Sequence, residues 1–273
     1  MSVRLAPARK FSKVPGLMSG LEILALVVSA TAAGAINAIA GGGTLLTFPT
    51  LLLCGTPPII ANATSTLALV IGTAGSIFGF RQYIAVIKTW LLRFVPVSLL
   101  GGWLGSWLLT HTSDQFFARL VPFLILFATI LFLAQNAFRK FSRRDAAAPE
   151  TNLRGVWIAV AFQFGVAVYG GYFGAGIGIL MLASLGFLGL SDIHEMNALK
   201  NVLGSLINVV AAVVFTWSGL IDWTKMGIMT VGALAGYWLG AHYSQRLPQI
   251  AVRRLITAIG FAMSAVTFWK QFH

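Results

Sequence analysis

LMSGLEILALVVSATAAGAINAIA, residues 17–40, carries a single charged side chain, Glu22, and runs directly into Gly41-Gly42-Gly43 and a second apolar piece, TLLTFPTLLLC, residues 44–54. At 1.5 Å per residue, about 20 apolar residues cover a ~30 Å hydrocarbon core, so 17–40 reads as a membrane-spanning helix. Arg4, Arg9, Lys10 and Lys13 precede it, as in a signal peptide. The apolar run is too long for a signal core and further runs follow, so it is expected to be a retained anchor and first span. Residues 44–54 are too short to cross as a separate helix. A short apolar segment directly after a glycine cluster reads as a broken or re-entrant helix.

Outward from this stretch the pattern repeats. Seven more apolar segments of spanning length lie near 59–80, 90–109, 120–138, 155–174, 196–217, 226–245 and 252–270. A second short one, 178–190, follows the glycines of Gly174-Ala175-Gly176-Ile177-Gly178. The expected fold is an all-α polytopic membrane protein, with about eight long transmembrane helices and two short broken or re-entrant ones. Composition agrees: 58% of the 273 residues are hydrophobic and 10% charged, with a mean hydropathy of +0.85. A soluble domain carries about 25% charged residues to face water. The net charge of +12 is spread between apolar segments, which is a positive-inside pattern and not a nucleic-acid-binding stripe. The single cysteine, Cys54, excludes an intramolecular disulfide and a cysteine metal cluster.

KFSRRDAAAPET, residues 140–151, is the one polar linker and divides the chain nearly in half. An offset of 135 residues superimposes the halves without a gap over long stretches. Gly41 falls on Gly176, Gly43 on Gly178, Asn62-Ala63 on Asn197-Ala198, and Gly101, Trp103 and Gly105 on Gly236, Trp238 and Gly240. Shared Asn, Trp and Gly in one register point to an internal duplication. The expected organisation is a first transmembrane repeat over 17–138, a cytoplasmic linker over 139–154 and a second repeat over 155–270. Four crossings per half make the repeats parallel. They also place the N-terminus, the turn around Arg81, Lys88 and Arg93, and the linker with Arg139, Lys140, Arg143, Arg144 and Arg154 on the cytoplasmic side. Both termini are then cytoplasmic. Arg246, Arg253 and Arg254 fall outside in this arrangement and fit it badly.

Two constellations carry candidate chemistry. The first is Gly41, Gly42, Gly43 and Thr44, with Gly174, Gly176 and Gly178 as its partner. Glycine permits positive φ and close backbone approach, and a helix that starts after such a break aims N–H groups and a partial positive charge at the gap. Two such ends at a pseudo-symmetric centre would cradle an anion; the alternative is close helix packing through small residues. The second is Asn62, Thr64, Ser65 and Thr66, with Asn197, Lys200 and Asn201 as its partner and Asn208 two turns beyond Lys200. Polar groups at membrane depth are costly unless paired, so they turn to the protein interior or a cavity. Lys200 is the one cation placed to meet an anion inside the membrane, unless it snorkels to the interface. Helix capping is the alternative for Asn62 and Asn197.

GAINAIAGGGTLLTFP (34–49), ANATSTLALVIGT (61–73), GGYFGAGIGILML (170–182) and GLSDIHEMNALKNVLGSLIN (189–208) together resemble the sulfite exporter TauE/SafE family, over about residues 20–270. The resemblance implies a bacterial inner-membrane permease for sulfur oxyanions or organosulfonates. Many members carry an Asn-Lys pair where this chain has Ser65-Thr66, which leaves one half with an intramembrane lysine.

The expected function is secondary transport of a small anion by rocking of the two halves, with a passive anion channel as the alternative. An intramembrane enzyme has little to work with. His111, His194, His242 and His273 are scattered without metal-ligand spacing, and no Ser–His motif stands out. No P-loop and no cofactor motif is present. The expected partners are the anionic substrate and the bilayer, with no nucleic acid; oligomeric state is open.

Overall fold

The computed structural model describes residues 18–39, 42–79, 84–144, 153–186, 193–243 and 249–272, and every regular element among them is an α-helix. Five helices precede the linker: α1 (Gly20–Ile39), α2 (Thr44–Leu53), α3 (Pro58–Gly79), α4 (Ile84–His111) and α5 (Asp114–Arg144). Five follow it: α6 (Leu153–Tyr172), α7 (Ile177–Gly186), α8 (Ile193–Trp217), α9 (Trp223–Tyr243) and α10 (Gln249–Phe272). The second helix of each five is the ten-residue one. Helices α3 and α8 begin 135 residues apart (58 and 193), as do α5 and α10 (114 and 249). Five helices, α1, α4, α5, α6 and α8, hold segments long and apolar enough to cross a membrane. Over the described residues α3 and α10 hold shorter apolar stretches, Pro58–Gly72 and Thr257–Trp269. Helix α5 runs past the expected end to Arg144 because its tail, AQNAFRKFSRR, is built of residues that sustain a helix in water.

Apolar side chains face outward as well as inward. Leu21 is 77% exposed and Trp217 84%. The buried polar side chains among the described residues are hydroxyls and amides, with no charged group. That distribution suits lipid, where the exterior need not be polar.

Small residues set the closest contacts. Gly105 of α4 lies on the Val168 carbonyl of α6, and Gly236 of α9 lies on the Thr31 carbonyl of α1; a Cβ at either would overlap backbone. Glycine lets helix axes approach where no hydrophobic force drives association. Gly105→Leu and Gly236→Leu are each expected to cost at least about 2 kcal/mol through overpacking against unyielding backbone. Gly155→Leu, where a Cβ meets open space, is expected to be neutral. Melting temperatures of the purified variants in detergent check both.

The residues that meet along each pair give the helix directions. On α1 and α9, Val27 meets Gly232, Thr31 meets Gly236 and Asn37 meets Tyr237, so the two run parallel. On α4 and α6, Ser98 meets Gln163, Gly101 meets Phe164 and Gly105 meets Tyr172, also parallel. Helix α3 runs with α9, from Thr64 at Asp222 to Gly72 at Tyr237. Helix α10 runs against α5, with Gly260 at Thr129 and Phe268 at Phe123. Helix α2 starts beside Asn37 and ends where the Lys225 ammonium reaches the Cys54 carbonyl at 3.3 Å and Thr56 at 2.8 Å. It therefore runs back from the end of α9 to its start.

These directions differ from the expected parallel halves of four crossings. Helix α2 thus runs antiparallel to α9 and returns the chain toward the start of α9. Asn62 reaching Tyr172, and Thr112 beside Tyr172, put the starts of α1, α3 and α9 on one face with the ends of α2, α4 and α6. The ends of α1, α5 and α9 lie on the opposite face, with the start of α6. The start of α1 and the end of α5 therefore lie on opposite faces. The two readings part at the short helices, because ten residues cover only about 15 Å and look too short to cross.

Candidate functional site

Each break is held by the last turns of the helix before it. In the first half the Asn37 amide does this: its Oδ1 accepts the Gly43 N–H at 2.7 Å and its Nδ2 donates to the Tyr237 hydroxyl at 3.1 Å. Gly42 has φ +99 and packs on the Phe132 ring of α5. In the second half the hydroxyl of the half-buried Tyr169 donates to the Ala175 carbonyl at 2.7 Å. Ala175 stands between Gly174 and Gly176, at φ +81 and +79. A side chain in that left-handed region costs roughly 1–2 kcal/mol, so glycine suits both. Gly176 faces Ala128 and Leu131 of α5 and Gly42 faces Phe132, so both breaks converge on one turn of α5. Gly41 lies outside the described residues.

The helix starts offer fewer free donors than expected. Leu45 and Leu46 donate to the Gly42 and Gly43 carbonyls at 3.0 and 2.9 Å, and Ile179 donates to the Gly176 carbonyl at 3.0 Å. Such i→i−3 bonds absorb first-turn N–H groups. Thr44 is the first residue of α2, half-buried, with Gly43 as N-cap. Gly178 is helical; a Cβ there would sit 3.3 Å from the Lys200 side chain, so this glycine serves close approach.

The second constellation divides between the halves. Asn62 and Asn197 are each the fifth residue of their helix, past the capping position. Asn62 is 1% exposed and donates to the Tyr172 carbonyl at 3.1 Å. Thr64 accepts the Asp222 N–H at 3.0 Å, and Thr66 donates to the Asn62 carbonyl at 2.9 Å. Ser65, the counterpart of Lys200, shares a 2.6 Å hydrogen bond with Thr47, both fully buried. These hydroxyls are occupied within the protein and are not gathered around Lys200. Lys200 is half-buried and donates to the Asn197 Oδ1 at 3.2 Å. Asn208, two turns on, faces Gly174. Asn201 is half-buried. The structure thus brings Gly174, Gly176, Gly178, Asn197, Lys200 and Asn208 to one break, and places the first-half hydroxyls elsewhere.

Asn37, Thr47, Tyr169, Tyr172 and Tyr237 were not anticipated. For Asn37 and Tyr169 the signal is faint but physical: a broken backbone needs partners, and a polar side chain in the last turns before the break is positioned to supply them.

The family model described as Sulfite exporter TauE/SafE matches residues 26–267. A probable membrane transporter protein of Haemophilus influenzae is 29% identical over 254 residues, covering 92% of this chain and 97% of that protein. The probable membrane transporter protein YfcA of Escherichia coli K12 is 25% identical over 250 residues, covering 91% and 90%. The probable membrane transporter protein YunE of Bacillus subtilis is 26% identical, covering 83% and 90%. No solved structure matches the chain. With a family match over nearly its whole length, the chain belongs to the sulfite exporter TauE/SafE family.

Proposed function

We propose that the protein is a secondary permease for a small oxyanion, sulfite or an organosulfonate, working by alternating access in a bacterial inner membrane. The observation that carries the reading is the second break. Two positive-φ glycines open it, and the Lys200 side chain lies against the first turn of α7. A cation beside a helix start suits an oxyanion. The names of the relatives, probable membrane transporter proteins, and the family description support it. Purified protein in liposomes, offered sulfite, sulfate, thiosulfate, sulfoacetate and taurine, is expected to show saturable flux of at least one. Flux of none, or flux that never saturates, would refute the permease.

The two halves are best explained as an inverted duplication of five passes each. The 135-residue spacing of helix starts and the opposite directions of α1 and α6 support this. Eight long helices and two short ones then make ten traverses. The tryptophans fit such a layering. Trp107, Trp217, Trp223 and Trp269 lie near helix ends on the face of the termini; Trp90, Trp157 and Trp238 lie near helix ends on the linker face. Tryptophan concentrates at both membrane interfaces. Among the described residues, the helix ends on the linker face carry nine basic residues: Lys88, Arg93, Arg139, Lys140, Arg143, Arg144, Arg154, Arg253 and Arg254. The other face carries three: Arg119, Lys225 and Lys270. The positive-inside bias makes the linker face cytoplasmic and the face of the termini external. This reverses the expected cytoplasmic termini and brings Arg246, Arg253 and Arg254 inside. In a Cys54→Ala background, Asp145→Cys is expected to react only from the cytoplasmic side and Ser113→Cys only from outside. Labelling of both from one side would overturn the inverted topology.

A further inference from the structure

We infer that the end of α6 forms a site for a monovalent alkali cation, sodium, with Asn62 Oδ1 and the Tyr172 carbonyl among its ligands. Asn62 is 1% exposed, and its Nδ2 is committed to the Tyr172 carbonyl at 3.1 Å. That bond fixes which way the amide faces. Its Oδ1 is left buried with no hydrogen-bond partner. An orphaned buried acceptor is destabilising, so it calls for a donor or a cation. Its place favours the cation. Tyr172 is the last residue of α6, where a helix presents carbonyl oxygens and the negative end of its dipole. The Tyr172 carbonyl keeps a second lone pair after accepting from Asn62. Rings close the surroundings: Phe117 packs edge-on to Tyr172 at 5.7 Å, and Phe48 edge-on to Phe173 at 5.3 Å.

The ligand chemistry selects the ion. Divalent cations are held through carboxylates, and no Asp or Glu is among the buried residues described. Neutral amide and carbonyl oxygens suit a singly charged hard cation. The broken helix then offers ends of opposite polarity, the α6 end for a cation and the α7 start, with Lys200, for an anion. A cation on the α6 side would favour anion binding on the α7 side, and the effect is reciprocal. Sodium would thereby be the coupling ion, a role for which the buried residues described supply no protonatable carboxylate.

The inference builds on the permease reading, but it is tested on substrate-free protein, so the two fail separately. The melting temperature of purified protein is measured in NaCl and in choline chloride at equal ionic strength. The wild type is expected to gain a few degrees in NaCl, saturating as the salt rises. Asn62→Ala is expected to lose the gain. Asn62→Asp keeps an oxygen at the site and adds a charge, so it should gain stability at lower NaCl than the wild type. Equal wild-type melting in the two salts would overturn the site. So would a sodium gain that survives in Asn62→Ala, since a water molecule would then be the partner of the Oδ1. If Asn62→Ala does not fold, the wild-type and Asn62→Asp titrations decide: no leftward shift in Asn62→Asp overturns the assignment.

Discussion

Lys200→Ala is expected to weaken apparent substrate affinity by roughly 10- to 100-fold, matching the ~1.5–3 kcal/mol of a hydrogen bond to a charged group. Lys200 is half-buried, donates to the Asn197 Oδ1 at 3.2 Å and lies over Gly178 at the start of α7. Its counterpart Ser65 is bonded to Thr47 at 2.6 Å and fully buried, so the first half offers no equivalent charge. Removing the one ammonium should therefore remove most of the electrostatic attraction for an anion. Lys200→Gln keeps a donor and should lose nearly as much. Lys200→Arg should rescue only partly, because a planar fork does not replace a point charge in a space shaped by Gly178. The measurement is substrate affinity in liposomes at matched protein level. Wild-type affinity in both the Ala and Gln variants would show that Lys200 anchors its helix at the interface and does not meet substrate.

Gly176→Val is expected to abolish transport while leaving the protein in the membrane. Gly176 has φ +79, and its nearest neighbours would stand 3.7 Å from an added Cβ. Space is therefore not the constraint; backbone conformation is. A β-branched residue is excluded from the left-handed region, so the break would have to rewind and carry Ala175 out of reach of Tyr169. Gly176→Asn separates the two causes, because asparagine tolerates that conformation. It should retain a substantial part of the flux. Gly178→Val tests close approach: the residue is helical and unstrained, but its side chain would displace Lys200, 3.3 Å from an added Cβ. Its loss should appear in affinity more than in maximal rate. Full transport by Gly176→Val would return the glycine to a packing role.

The sequence alone determined the membrane class, the ten helical segments and the two glycine breaks. These features are local. A lipid-facing helix needs an apolar run of a certain length, and a break needs glycine, so both are written into consecutive residues. The lone Lys200 was legible for the same reason, since a cation inside an apolar run stands out. The direction of the short helices was not legible. Whether TLLTFPTLLL turns back or passes through depends on what meets its ends, here Asn37 at one and Lys225 at the other. That single point separates the expected four passes per half from the five of the proposed inverted arrangement. Nor did the sequence show that Ser65 is sealed by Thr47, or that Asn62 reaches across 110 positions to Tyr172. Those pairings join residues far apart in the chain, and hydrogen bonding between them depends on packing geometry that only the tertiary structure decides.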